Sequence, residues 1–194
     1  MIRLGITGGI GSGKSYVSRL LTRYFGIPVY DSDAEAKRPN NENPFIREQL
    51  IRLVGPEVYD EAGLVKPVLA EYLFADSDNA KQVNAIIHPV VREDFTQWCQ
   101  RQETGIVGLE SAILFESGFH TSMDKVLFVD APLEVRIRRA VFRDGVQREQ
   151  IEARIAQQDS SSAMKRADFV IENDGVSDET LLLTLNNIIR YKLK

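Results

Sequence analysis

Short apolar runs alternate along the chain with stretches in which apolar residues recur every three or four positions, the pattern of strands feeding helices in an α/β fold with a parallel sheet. The first run, Ile2 to Thr7, reads as a strand and leads into a glycine-rich turn. Val17, Leu20, Leu21, Tyr24 and Phe25 then mark a helix that stops at Gly26. Ile27-Pro28-Val29-Tyr30 predicts a second strand ending at Asp31-Ser32-Asp33, and Gly105 to Glu110, Lys125 to Asp130 and Phe169 to Glu172 predict three more. Ser177-Asp178-Glu179 opens a last helix carrying Leu181, Leu182, Leu185, Ile188 and Ile189.

The interval from Ala34 to Thr104, 71 residues, is too long for a simple crossover and reads as helical. Pro67 is expected to open one helix, Asp78 a second with Val83, Ile86 and Ile87, and Pro89 a third with Val91, Phe95, Trp98 and Cys99. The expected organisation is a five-stranded core at 1–33 and 105–194, of the P-loop nucleotide-binding type argued below, with a helical lobe inserted at 34–104. Asp60-Glu61-Ala62-Gly63 within that lobe reads as a turn.

Composition narrows the function classes. In 194 residues there are 24 Lys+Arg against 28 Asp+Glu, a net charge of −4, and 43% are hydrophobic. Such a mildly acidic chain is a poor general binder of nucleic acid or membrane surfaces, and no apolar run is long enough to span a bilayer. The single cysteine, Cys99, has no partner within the chain. With a strand predicted from the second residue and no leader pattern, the expected location is the cytoplasm. The sequence leaves the oligomeric state open. Charge is nonetheless uneven: Arg136 to Arg166 holds eight basic and four acidic residues. An interleaved solvated helix face accounts for that unless another feature requires a polyanion.

Such a feature exists. Gly8-Gly9-Ile10-Gly11-Ser12-Gly13-Lys14-Ser15 fits G-x-x-x-x-G-K-S/T between a predicted strand and helix. Glycines let the loop wrap its N–H groups around phosphate oxygens, and the helix adds its positive dipole end. Lys14 is expected on the β- and γ-phosphates and the Ser15 hydroxyl on Mg²⁺. A nucleoside triphosphate is the implied ligand. A guanine-specific switch would carry an Asn-Lys-x-Asp run, and none is present.

A small-molecule kinase also needs an acceptor site and a lid. Asp31 and Asp33 follow the second strand, where a carboxylate can take the proton of an attacking hydroxyl; Ser32-Asp33-Ala34-Glu35 reads equally as a capping box. Among Asp31, Glu110, Glu116 and Asp130, spacing does not choose which serves the metal's water shell. Arg139 and Arg143 share one helical face before Asp144-Gly145, suited to clamping phosphoryl oxygens, and Ser160-Ser161-Ser162 reads as a hinge for a lid at about 136–162. Asn173-Asp174-Gly175 reads as a turn beside the nucleotide, and His88, next to Pro89, as a structural histidine.

Taken together, Gly5 to Ser15, Asp31-x-Asp33, Ile87-His88-Pro89, Leu114-Phe115-Glu116, Val129-Asp130-Ala131, Arg139-x-x-x-Arg143-Asp144-Gly145, Arg154-Ile155-x-Gln157, Ala167-Asp168 and Asn173-x-Gly175 resemble the dephospho-CoA kinase family along essentially the whole chain. The resemblance implies a P-loop core with a helical acceptor lobe and a lid. It implies phosphorylation of the ribose 3′-hydroxyl of dephospho-CoA by ATP with Mg²⁺, giving coenzyme A and ADP. On that basis Asp33 is the base and Lys14, Arg139 and Arg143 assist it. ATP falls to Gly8, Gly9, Gly11, Ser12, Gly13, Lys14, Ser15, Tyr16, Asn173 and Gly175. The acceptor falls to Asp31, His88, Leu114, Phe115 and Glu116. Tyr16, where the family commonly has Thr, Ser111-Ala112, where it has a proline-containing run, and Arg136, where it has Gln, depart from the pattern.

Overall fold

The computed structural model describes residues 1–175 and 177–193. In chain order its elements are β1 (Ile2–Gly8), α1 (Lys14–Phe25), β2 (Val29–Asp31), α2 (Ser32–Glu35), α3 (Lys37–Glu42), α4 (Pro44–Val54), β3 (Tyr59–Asp60), β4 (Gly63–Leu64), α5 (Lys66–Ala75) and α6 (Ser77–Gln100). There follow β5 (Ile106–Glu110), β6 (Lys125–Asp130), α7 (Leu133–Asp144), α8 (Arg148–Ala156), α9 (Ser160–Arg166), β7 (Phe169–Glu172) and α10 (Asp178–Asn187), the last running into a π turn at Ile188–Lys192. Contacts divide the chain into one unit of Met1–Asp31 with Gln102–Lys194 and a second of Ser32–Arg101. Among the described residues no helix is long and apolar enough to cross a membrane.

The first unit is built on a parallel sheet in the order β2-β5-β1-β6-β7. The five strands that the apolar runs predict are its strands, since a parallel strand covered on both faces must be apolar almost throughout. On one face Leu4, Ile6, Leu127 and Val129 pack with Val17, Leu20 and Leu21 of α1 and Leu181 and Leu185 of α10. Ser177 caps α10 by accepting from the Thr180 N–H. Gly26 and Gly145 end α1 and α7. Tyr24 shares the 17-20-21 stripe but is not buried: it lies in the last turn of α1, where its ring is exposed and carries the Arg23 guanidinium. Nor is Ser160-Ser161-Ser162 an irregular hinge. Asp159 accepts from the Ser162 N–H and starts α9 there, so the serines are its first turn.

The second unit has its own core, Ile46, Leu50, Val58, Tyr59 and Val83, lined by apolar residues of α5 and α6. Asn43 caps α4 through the N–H groups of Phe45 and Ile46, with Pro44 at the first helical position. Asp60-Glu61-Ala62-Gly63 forms the tip of the β3–β4 hairpin, where the Asp60 carboxylate accepts from the Ala62 N–H.

The two helices expected at Asp78 and Pro89 are one. α6 runs unbroken through Pro89, and its cap is Asp76, whose carboxylate accepts from the Asp78 N–H. Proline in a helix interior forfeits one backbone bond and crowds the turn before it. Here Val83, Ile86, Ile87 and Val90 continue a single apolar face across the break, and that packing holds the helix together. Replacement of Pro89 by Ala is therefore expected to stabilise the protein by about 1–3 kcal/mol, the interior proline penalty less the extra freedom of the unfolded chain. Urea unfolding followed by circular dichroism checks this through a higher midpoint.

Candidate active site

The loop between β1 and α1 is held from outside at two residues, Ile10 and Ser12. At Ile10 the N–H donates to Oε1 of Gln158 at 2.9 Å, and the carbonyl accepts from Nε of Arg136, also at 2.9 Å. The Ile10 side chain meanwhile packs into the small core of Ile137, Ala140 and Ile151 formed by α7 and α8. At Ser12 the carbonyl accepts from Nδ2 of Asn173 at 2.9 Å and from Nη1 of Arg139 at 3.3 Å. This crowding explains two of the glycines. Gly11 has φ +75°, and a Cβ there would lie 2.1 Å from the Arg136 carbonyl oxygen. Gly13, at φ +93°, would place one 2.1 Å from Nδ2 of Asn173.

Inside the loop Nζ of Lys14 donates to the carbonyls of Gly8 at 2.9 Å and Gly9 at 3.3 Å. The Ser15 hydroxyl donates to Oε1 of Glu110 at 2.6 Å. Glu110 is buried at the end of β5, and the parallel register sets Asp31 of β2 beside it. Ser15, Asp31 and Glu110 share the wall of a cleft of about 580 Å³ with Tyr16 and Arg19. Tyr16 bonds to Asp178, which with burial pushes its hydroxyl above the usual phenol range, and Arg19 stacks on its ring. Asp130, on β6 beyond β1, uses its carbonyl to accept the Asn173 N–H. Of the four carboxylates left open by spacing, Glu110 is the one that reaches Ser15.

A hydroxyl and two carboxylates form the hard-oxygen donor set that Mg²⁺ accepts when phosphates complete its shell. Among the described residues no group of three or more His, Cys, Asp or Glu is gathered to hold a metal without them.

The remaining site residues fall in three places. Leu114 is fully buried against Gly5, while Phe115 packs at a tilt against His120 and carries the Arg166 guanidinium over its ring; Glu116 is exposed. Arg139 turns into the Asn173–Gly175 turn, donating to the Asn173 carbonyl at 2.9 Å. Arg143, one turn on, bonds to Asp144 at 2.6 Å, and Asp144 also pairs with Arg154. The two arginines thus share a helix face, but their guanidiniums end on different partners. In the second unit Asp33 is exposed in α2, two residues beyond Asp31 along the chain, and His88 is half-buried on α6.

Arg136 and Gln158 were not visible as site residues in the sequence. Arg136 registered only as a substitution in a motif, and Gln158 lay beside the motif residue Gln157. Only 8% of Arg136 is exposed, and its Nη2 has no hydrogen-bond partner among the described residues. No pattern of period 2 or 3.6 reports a contact across 126 or 148 residues.

A family model described as Dephospho-CoA kinase matches residues 2–179. The dephospho-CoA kinase of Bacteroides fragilis (strain YCH46) is 53% identical over 176 residues, 90% of this chain and 85% of its own. A crystal structure from Thermus thermophilus matches 100% of this chain and 98% of its own, with 39% identity and a TM-score of 0.85. Dephospho-CoA kinase from Campylobacter jejuni, at 23% identity, shares the fold with a TM-score of 0.69 over 99% of this chain and 98% of its own.

His88 gives a pH test within the second unit. Burial first, and the charge of Arg92 second, hold its pKa below the ordinary 6.5. The unfolded chain then binds more protons between the lowered value and 6.5, so the contribution of His88 is full above 6.5 and is lost as pH falls through that window. Urea midpoints at pH 7.5, 6.5 and 5.5 are expected to fall less steeply in His88→Asn than in the native protein.

Proposed function

The chain belongs to the dephospho-CoA kinase family, and from that premise we propose that it transfers the γ-phosphoryl group of ATP to the ribose 3′-hydroxyl of dephospho-CoA, giving coenzyme A and ADP. This is the last step of coenzyme A synthesis, and we place it in the cytoplasm with ATP and dephospho-CoA as its small-molecule partners. The observation that carries the reading is the Ser15–Glu110 bond at the mouth of a phosphate loop, with Asp31 in register beside it.

The chemistry asked of the protein is chiefly positioning and charge stabilisation. The N–H groups of Gly11, Gly13, Lys14 and Ser15 meet the β-phosphate, while that of Ile10 is given to Gln158 and that of Ser12 to the Gly9 carbonyl. Lys14 exchanges the carbonyls of Gly8 and Gly9 for β- and γ-phosphate oxygens, a change of partners for an ammonium already at the loop. Ser15, Glu110 and Asp31 would hold Mg²⁺, which when bound offsets the charge on the same phosphates. Asp33 accepts the proton as the 3′-oxygen bonds to phosphorus and the bond to the β–γ bridging oxygen breaks, leaving ADP. Arg139 and Arg143 supply positive charge to the moving group, Arg143 leaving Asp144 as the lid at 136–162 closes. Tyr16, Asn173 and Gly175 border the nucleotide. To the acceptor we assign Asp31, His88, Phe115 and Glu116, with the buried Leu114 fixing the segment that carries the last two.

The test is ADP release from purified protein with Mg-ATP, with dephospho-CoA, AMP or shikimate as acceptor. Stimulation by dephospho-CoA with coenzyme A as product is expected; no stimulation by it would overturn the reading. Asp33→Asn is expected to lower kcat about 100-fold or more with the KM for ATP within a few fold, the size typical of a lost general base. Unchanged turnover would remove Asp33 from that role.

A further inference from the structure

Gln158 touches two segments with different tasks. Its Oε1 accepts from the Ile10 N–H in the phosphate loop, and its Nε2 donates to the Ala112 carbonyl at 3.3 Å. Ala112 stands two residues before Leu114-Phe115-Glu116, and Gln158, Gly8 and Glu116 wall the same narrow gap. The backbone of Gln158 is itself pinned between α8 and α9. Its N–H donates to the Ile155 carbonyl, and its carbonyl accepts from the Ser160 N–H at 2.8 Å. One planar amide therefore spans from the loop that surrounds the triphosphate to the segment on the acceptor side. The amide suits this because it carries a donor and an acceptor on separate atoms: a carboxylate has no proton to give Ala112, and an ammonium has no lone pair for Ile10.

We propose that Gln158 is a positioning residue that couples the acceptor segment to the phosphate loop, so that filling one substrate site favours the geometry of the other. The proposal rests on the functional reading above. Both bonds hang on one rigid group, so a shift of Ala112 strains the bond to Ile10, and the reverse. Nucleotide that orders Ile10 thereby orders Ala112. Because such coupling is reciprocal for binding, the acceptor must tighten nucleotide by the same factor.

Two variants of the full chain separate the two arms. Gln158→Ala loses both bonds. Gln158→Glu keeps the acceptor for Ile10 and loses the donor to Ala112 with almost no change of shape. Initial rates are measured with ATP and dephospho-CoA both varied, and melting by circular dichroism. In the native protein the KM for dephospho-CoA is expected to fall as ATP rises, and in Gln158→Ala that dependence disappears. Gln158→Glu is expected to keep its KM for ATP within about twofold while its KM for dephospho-CoA rises about fivefold, the weight of one ordinary hydrogen bond. Should the alanine variant not fold, the isosteric glutamate variant decides alone.

Lower melting temperature and kcat with both KM values and their mutual dependence intact would mean a merely structural role and would overturn the proposal. So would a glutamate variant identical to the native protein. Native protein that forms no coenzyme A overturns the functional reading and the coupling with it; active native protein with indifferent variants overturns the coupling alone.

Discussion

A glycine-rich loop that wraps back on itself between a strand and a helix leaves outer peptide groups that other side chains must satisfy. That requirement organises much of the first unit. The carbonyls of Ile10 and Ser12 point away from the phosphate side, and an unmet buried carbonyl costs on the order of 1–3 kcal/mol. Arg136, Arg139 and Asn173 meet them, and Gln158 takes the Ile10 N–H. These side chains come from α7, from the α8–α9 turn and from the end of β7, so elements far apart in sequence converge on the shape of eight residues. The glycines at 11 and 13 are the other half of the arrangement, since the supports approach too closely for a Cβ.

The basic stretch divides accordingly. Arg148 pairs with Glu134 and Glu152, and Arg143 and Arg154 share Asp144; these are exposed pairs of the kind that contribute little. Arg136 and Arg139 instead turn inward at i, i+3. A face of interleaved charge and a phosphate-loop support thus occupy the same two helices, sorted by the direction each residue points.

Legibility followed the range of the interaction. The β1 and β6 strands were readable because a doubly covered parallel strand must be apolar, and Lys14 and Ser15 because the loop's chemistry is contiguous in sequence. Pro89 misled because a local breaker was outweighed by an apolar face that spans it. The serines at 160–162 misled because a cap at Asp159 turns a flexible-looking run into a first helical turn. Glu110 was not separable from Asp130, since which strand-end carboxylate meets Ser15 depends on how β1 registers with β5 and β6. Arg136 and Gln158 were least accessible, for their partners lie more than a hundred residues away.

Asn173 shows what these supports demand of their chemistry over time. Its side chain gives a proton to the Ser12 carbonyl, and only 5% of the residue is exposed. Hydrolysis of that amide would leave a carboxylate facing a carbonyl, two acceptors with no hydrogen between them. Excluding water from this one side chain therefore guards the loop against ageing, a hazard that an asparagine in an open turn would meet unprotected.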